Sequence, residues 1–331
     1  MFLQSRIFRV WLAVVAVAWL AAFLRWNDLG FLAEHWYYPA VMVVGAFVAG
    51  STPEGGGAVA FPVLSVFLSI DRVLARDFSM MIQSVGMTSA SIFLLTRRGV
   101  DRSVFRPLLW WVPVAFVGFV IGMATLQGIR VPVIQALFLS LIMSFALAYW
   151  RGDHRGVDDH CRVRSARDVW LSVGVLLLGG ACTSLFGTGA DILVYTLLVT
   201  HFTMREKQAT ELSIVLMAAL SVLGFAWRGL VQDELTDYQI RTWLCAAPVV
   251  LVMAPLGSYV LRRVPAEWIL RAVVVLNIAQ LLWFNLRGPT LEKSLWSLAF
   301  SVPLLLLFRR VLVHVQRRVE ARAPTAAQSG R

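Results

Sequence analysis

The chain reads as an all-α polytopic membrane protein made of two inverted repeats. Each repeat is expected to hold a re-entrant hairpin of broken helices and three transmembrane helices, with one further helix flanking at each end. Three observations predict this. Apolar runs recur along nearly all of the 331 residues, 59% of which are hydrophobic, and mean hydropathy is +0.73. Each run is long enough to cross a hydrocarbon core of about 30 Å, and none alternates as a barrel strand would. Two runs break at glycine clusters in matching places: the offset from Gly55 to Gly187, and from Gly57 to Gly189, is 132 positions. The distribution of Lys and Arg then selects the topology.

The elements follow in order. Arg6 and Arg9 precede an apolar run, Val10 to Leu24. Arg25-Trp26 follows it where a signal peptide would carry small residues, so the run is read as a retained first helix. Expected spans are 8–25, 36–70, 73–96, 105–127, 131–150, 168–202, 206–228, 238–261, 266–286 and 294–313. The segments 36–70 and 168–202 are broken, and each is 35 residues long. One crossing needs only about 20 residues.

If both broken segments crossed fully, 16 Lys/Arg would fall on the cytoplasmic side and 14 outside. If both are re-entrant, 22 fall inside and 8 outside, as the positive-inside rule requires. Three crossings per repeat is an odd number, so the second repeat is inverted, and the hairpins approach the midplane from opposite faces. Arg98-Gly99 matches Arg228-Gly229, Pro113 matches Pro248 and Gly122 matches Gly257, with offsets between 130 and 135. Residues 1–317 are treated as one transporter domain, with repeats at about 36–150 and 168–286 and a disordered basic tail at 318–331. The expected location is the bacterial inner membrane, multi-pass, with both termini cytoplasmic.

A net charge of +11 would suggest nucleic acid in a soluble protein. Here the arginines lie in loops between apolar runs, and topology accounts for them, so no nucleic-acid partner is expected. Cys161, Cys182 and Cys245 form no disulfide framework. The loop His154–Cys161 is read as solvated rather than metal-binding, and no cofactor is expected. The chain carries no HExxH, no G-x-S-x-G and no GxxxxGK[ST], which argues against an enzyme and against ATP-driven transport.

Broken apolar segments in corresponding positions of two halves are the sequence mark of a transporter binding site. Ser51-Thr52-Pro53-Glu54 reads as a helix start, followed by Gly55, Gly56 and Gly57 with bare backbone N–H groups. Thr183, Ser184, Gly187, Thr188 and Gly189 repeat that chemistry. Two half-helix N-termini would hold a small anion without a fixed arginine. Gln83 and Ser84, central in the next span, join these as candidate substrate-binding residues. Glu54 and Asp191 flank the breaks as candidate proton-coupling groups. Glu54 has an equally good reading as a helix cap, because its spacing from Ser51 is that of a capping box. Asp71, Arg72, Arg76, Asp77, Arg205, Glu206 and Lys207 lie at helix starts and are read as solvated or paired.

At these residues the chain resembles the TauE/SafE sulfite exporters, also called TSUP permeases. The likeness lies in the glycine-rich break, Phe61-Pro62, the stretch Leu95-Thr96-Arg97-Arg98-Gly99-Val100-Asp101, and the weaker Ala226-Trp227-Arg228-Gly229. It covers roughly residues 40–286. The chain departs at Glu54, at the Gly-Thr-Gly break and near Tyr195. The resemblance implies a permease for sulfite, thiosulfate or an organosulfonate. Alternatives are a permease for another small anion such as a carboxylate, or a membrane assembly factor. Expected partners are a small anion and the lipid bilayer; homo-oligomerisation is left open.

Overall fold

The computed structural model describes residues 3, 5–150, 158–264, 266–287 and 289–328. These are helical almost throughout, with no strand among them. The helices are α1 (Arg6–Trp26), α2 (Leu29–Glu34), α3 (Tyr37–Ser51), α4 (Gly57–Pro62), α5 (Arg72–Thr96), α6 (Leu108–Thr125) and α7 (Val131–Trp150). They continue as α8 (Ala166–Phe186), α9 (Ala190–Thr200), α10 (Glu206–Ala226), α11 (Asp237–Leu261), α12 (Ala266–Leu286) and α13 (Leu291–Gln328). π-helical turns prolong α4 through Val63–Phe67 and α10 through Trp227–Val231.

Local chemistry sets the helix ends. Asp71 starts α5 by accepting from the N–H groups of Val73 and Leu74. Ser165 with Asp168, and Thr236 with Gln239, form capping boxes that start α8 and α11. Gly187 ends α8 in the left-handed region, at φ 76°.

Among the described residues, eight helices are long and apolar enough to cross a membrane: α1, α5, α6, α7, α8, α10, α11 and α13. The chain is a multi-pass membrane protein. Eight crossings were expected, and the expected span 266–286 is present as α12 with those bounds. The described apolar part of α12, Arg271–Leu286, is shorter than a span.

Both broken segments double back. Asp168 at the start of α8 receives His201, just past the end of α9, at 2.7 Å, and Gly179 packs on Ala190. In the first half, Gly45 of α3 packs against Val59 of α4, and Val41 joins Val63 in one apolar cluster.

The tightest helix crossings join the two halves. A Cβ on Gly50 or Gly257 would overlap a backbone carbonyl of the facing helix, at Ala254 and Phe47 respectively, so α3 and α11 touch backbone to backbone. Gly118 against the Leu177 carbonyl, and Gly180 against that of Ala115, do the same for α6 and α8. Small residues permit such approaches, and dispersion then holds the helices together in lipid.

One expectation is corrected and one element was not foreseen. Ser51-Thr52-Pro53-Glu54 does not start a helix: Ser51 ends α3, Thr52 caps it, and α4 begins two residues after Gly55. The short α2, capped by Asp28, was not foreseen. α13 runs as far as Gln328. Part of the loop His154–Cys161, residues 154–157, falls outside the described residues.

Candidate functional site

The two breaks meet inside the protein. Gly55 takes φ 71°, and a Cβ there would overlap the Asp191 carboxylate and fall 2.7 Å from Thr188 Oγ1 and 2.8 Å from Gln83 Oε1. Thr188 Oγ1 donates to the Glu54 carbonyl at 3.5 Å. Gln83 Nε2 donates to the Gly187 carbonyl at 2.7 Å. One short polar contact zone therefore joins α5, the turn before α4 and the turn before α9. Glu54, Gln83, Thr188 and Asp191 are all buried there.

At the first break Pro53–Gly56 form a turn, so at least one N–H of Gly55, Gly56 and Gly57 faces the Thr52 carbonyl, and none of the three makes a short, well-aligned hydrogen bond among the described residues. Consecutive bare N–H groups beside a positive-φ residue form an anion-binding concavity. The second break differs, because its N–H groups are partly filled. Asp191 Oδ1 accepts from Gly189 N at 3.0 Å and Ile192 N at 3.1 Å. Asp191 thus caps its own half-helix with the kind of contact a bound oxyanion would make.

Glu54 is not a cap. Its carboxylate accepts from Asn277 Nδ2, at 3.0 Å to each oxygen. Asn277 also donates to the Ile142 carbonyl at 3.2 Å, and Gln280 Nε2 donates to the Ala58 carbonyl at 3.3 Å. α12 therefore holds the first break in place. Sequence reasoning missed both residues. The available signal was an Asn and a Gln one turn apart inside the apolar run VVVLNIAQLLWF, where such groups are costly.

Several expected site residues lie elsewhere. Ser51 bonds the Phe47 carbonyl and backs onto Gly257. Ser184 bonds the Ala181 carbonyl and abuts Gly122. These two serines belong to the crossings of α3 with α11 and of α6 with α8, where a small residue is needed. Thr183 bonds Gly179 O one turn back. Ser84 bonds Met81 O, which also receives the Trp243 indole, so it is turned toward α11. Thr52 supports the tip by accepting from Glu54 N at 3.3 Å. Of the helix-start charges, Arg76 and Asp77 are buried and paired.

The structure is that of a multi-pass helical membrane protein in which two glycine-centred breaks meet. The chain matches the sulfite exporter TauE/SafE family over residues 37–283, and it belongs to that family. No curated protein and no solved structure matches it. Membership makes it a permease of the sulfite-exporter type.

Proposed function

We propose that the protein is a secondary permease for a small sulfur oxyanion or organosulfonate. It works by alternating access at the two break tips, which re-entrant hairpins carry in from opposite faces. The observation that carries this reading is the meeting of the two breaks, where Gly55 is buried against Asp191, Thr188 and Gln83 and no short, well-aligned hydrogen bond leaves the N–H groups of Gly55, Gly56 and Gly57 among the described residues. A desolvated oxyanion gains most where several N–H groups point at it.

The contacts favour the topology. Asp168 with His201, and Arg97 with Glu211, join residues that the charge partition puts inside. Arg228 with Asp77, and Arg241 with Asp28, join residues it puts outside. Arg287 also reaches the carbonyl of Phe67, at the end of the first broken segment, on the outer side.

Asp191 and Glu54 are the candidate coupling groups. A bound anion beside two carboxylates is repelled unless at least one is protonated. Substrate binding therefore takes up a proton at this pair, and flux responds to a pH gradient.

The test is flux into proteoliposomes with sulfite, sulfoacetate and acetate. Saturable movement of sulfite or sulfoacetate, absent for acetate and lost in Gly55→Ala, is expected. Equal movement of acetate would transfer the reading to carboxylates.

A further inference from the structure

Asp77 and Glu211 occupy equivalent places: each is the sixth residue of the long helix that follows a break, α5 and α10. These helices lie antiparallel, and each carboxylate reaches an arginine just beyond the end of the other helix. Arg228 Nη2 meets Asp77 Oδ2 at 2.9 Å. Arg97 grips Glu211 with both nitrogens, at 2.7 and 3.0 Å. Each carboxylate also holds a second guanidinium, Arg76 at 2.7 Å for Asp77 and Arg262 at 3.1 Å for Glu211.

α11 serves both ends, because Gln239 near its start donates to Asp77 at 3.0 Å and Arg262 follows its last residue. The offset from Asp77 to Glu211 is 134 positions, within the range of the matches found in the sequence, whereas Arg228 matches Arg98 and its counterpart in the ion pair is Arg97, one residue earlier.

The two ends are alike in chemistry but not in exposure. Asp77 and Arg228 are 0% and 2% exposed, whereas Glu211 and Arg97 are 7% and 25% exposed. Beside Glu211 lies a cavity of about 450 Å³ lined by Arg97, Arg98, Arg262 and Arg263. A buried ion pair gains little net stability, because desolvation offsets its attraction, and it weakens once water reaches it. Paired retention at the two ends of one helix pair suits an element that must open and close.

We propose that Asp77–Arg228 and Glu211–Arg97 are the two latches of the transport cycle, each sealing the route to the breaks at one end of α5 and α10 and opening in alternation. The structure is sealed at the Asp77 end, with the Glu211 end the nearer to opening. The inference rests on the transporter reading.

The test uses the full chain in membrane vesicles of either orientation. Cys161, Cys182 and Cys245 are replaced by serine, and Thr188→Cys reports access of a membrane-impermeant thiol reagent. Glu211→Gln should raise labelling from the Glu211 side about tenfold and lower it from the other. Asp77→Asn should do the opposite. Arg97→Gln and Arg228→Gln should repeat the two patterns, and Asp77→Glu and Glu211→Asp should restore the parent behaviour. If an acid variant fails to fold, its arginine counterpart decides.

Same-sided shifts, or none in folded variants, overturn the latches, since a purely structural pair would only lower thermal stability. Opposite shifts in a protein that moves no sulfur oxyanion would leave the latches standing and remove the substrate reading. Normal flux without side-specific shifts would do the reverse.

Discussion

At the scale of single residues, the glycines of the breaks do different work, and the contrast is testable. Gly55 combines positive φ with contact on Asp191, Thr188 and Gln83. Gly56 has φ −69°, and a Cβ there would meet Ala49, Gln83 and Gly45 no closer than 3.4 Å. Gly55→Ala is expected to abolish flux and cost about 1–2 kcal/mol from the left-handed backbone alone. Gly56→Ala should transport close to normally. Flux together with the thermal midpoint in detergent distinguishes the two. Asn277→Leu removes the donor to Glu54, and an unsatisfied buried acceptor costs about 1–3 kcal/mol. The expected result is a lower thermal midpoint and weaker coupling to a pH gradient, with Asn277→Gln partly restoring both. Asp191→Asn and Glu54→Gln test the coupling directly: folded variants that keep the pH-gradient dependence would return both acids to structural roles.

At the scale of elements, two pairs of helices, α3 with α11 and α6 with α8, carry the same backbone-to-backbone crossing. Gly257 meets Phe47 and Ser51, while its repeat partner Gly122 meets Ala181 and Ser184. The first helix of each broken segment is thereby clamped to a helix of the other repeat. A side chain at such a crossing cannot be relieved by a rotamer change, because the obstacle is backbone. Gly50→Leu and Gly180→Leu should each fail to give a monodisperse folded protein. Gly99→Leu should fold, because nothing lies within 4 Å of a Cβ there and only its φ of 74° is strained. Size-exclusion profiles of the three variants settle the comparison.

At the scale of the whole molecule, the ion pairs sort the loops into two sets. Arg130 with Glu292, Arg241 with Asp28 and Arg228 with Asp77 fall in one. Arg205 with Asp159, His160 with Asp101 and Arg97 with Glu211 fall in the other. The proposed topology, with 22 positive residues inside and 8 outside, sorts them the same way. A cysteine at Arg102 is expected to label only from the cytoplasmic side. It is a better reporter than Ser103, which is partly buried and hydrogen-bonded to His160. Labelling of Arg102→Cys from the periplasmic side would reverse the topology.

Spans, breaks and their pairing were legible in the sequence because hydropathy, glycine and charge act locally or sum along the chain. The limits of most long helices, the breaks at Gly55 and Gly187, and the nearness of Gln83, Thr188, Glu54 and Asp191 to those breaks follow from such signals. Which polar groups face one another did not follow. Ser51 and Ser184 look like site residues in sequence but belong to glycine crossings. Asp191 looked free but caps its own helix. Asn277 became visible only when α12 was set against the first break. Asp77 looked like an ordinary helix-start charge until α5 and α10 lay antiparallel. Rotation about a helix axis decides these matters, and contacts more than 100 residues apart in the chain fix that rotation. A sequence records where helices start, stop and break; only tertiary packing determines which face of each one looks inward.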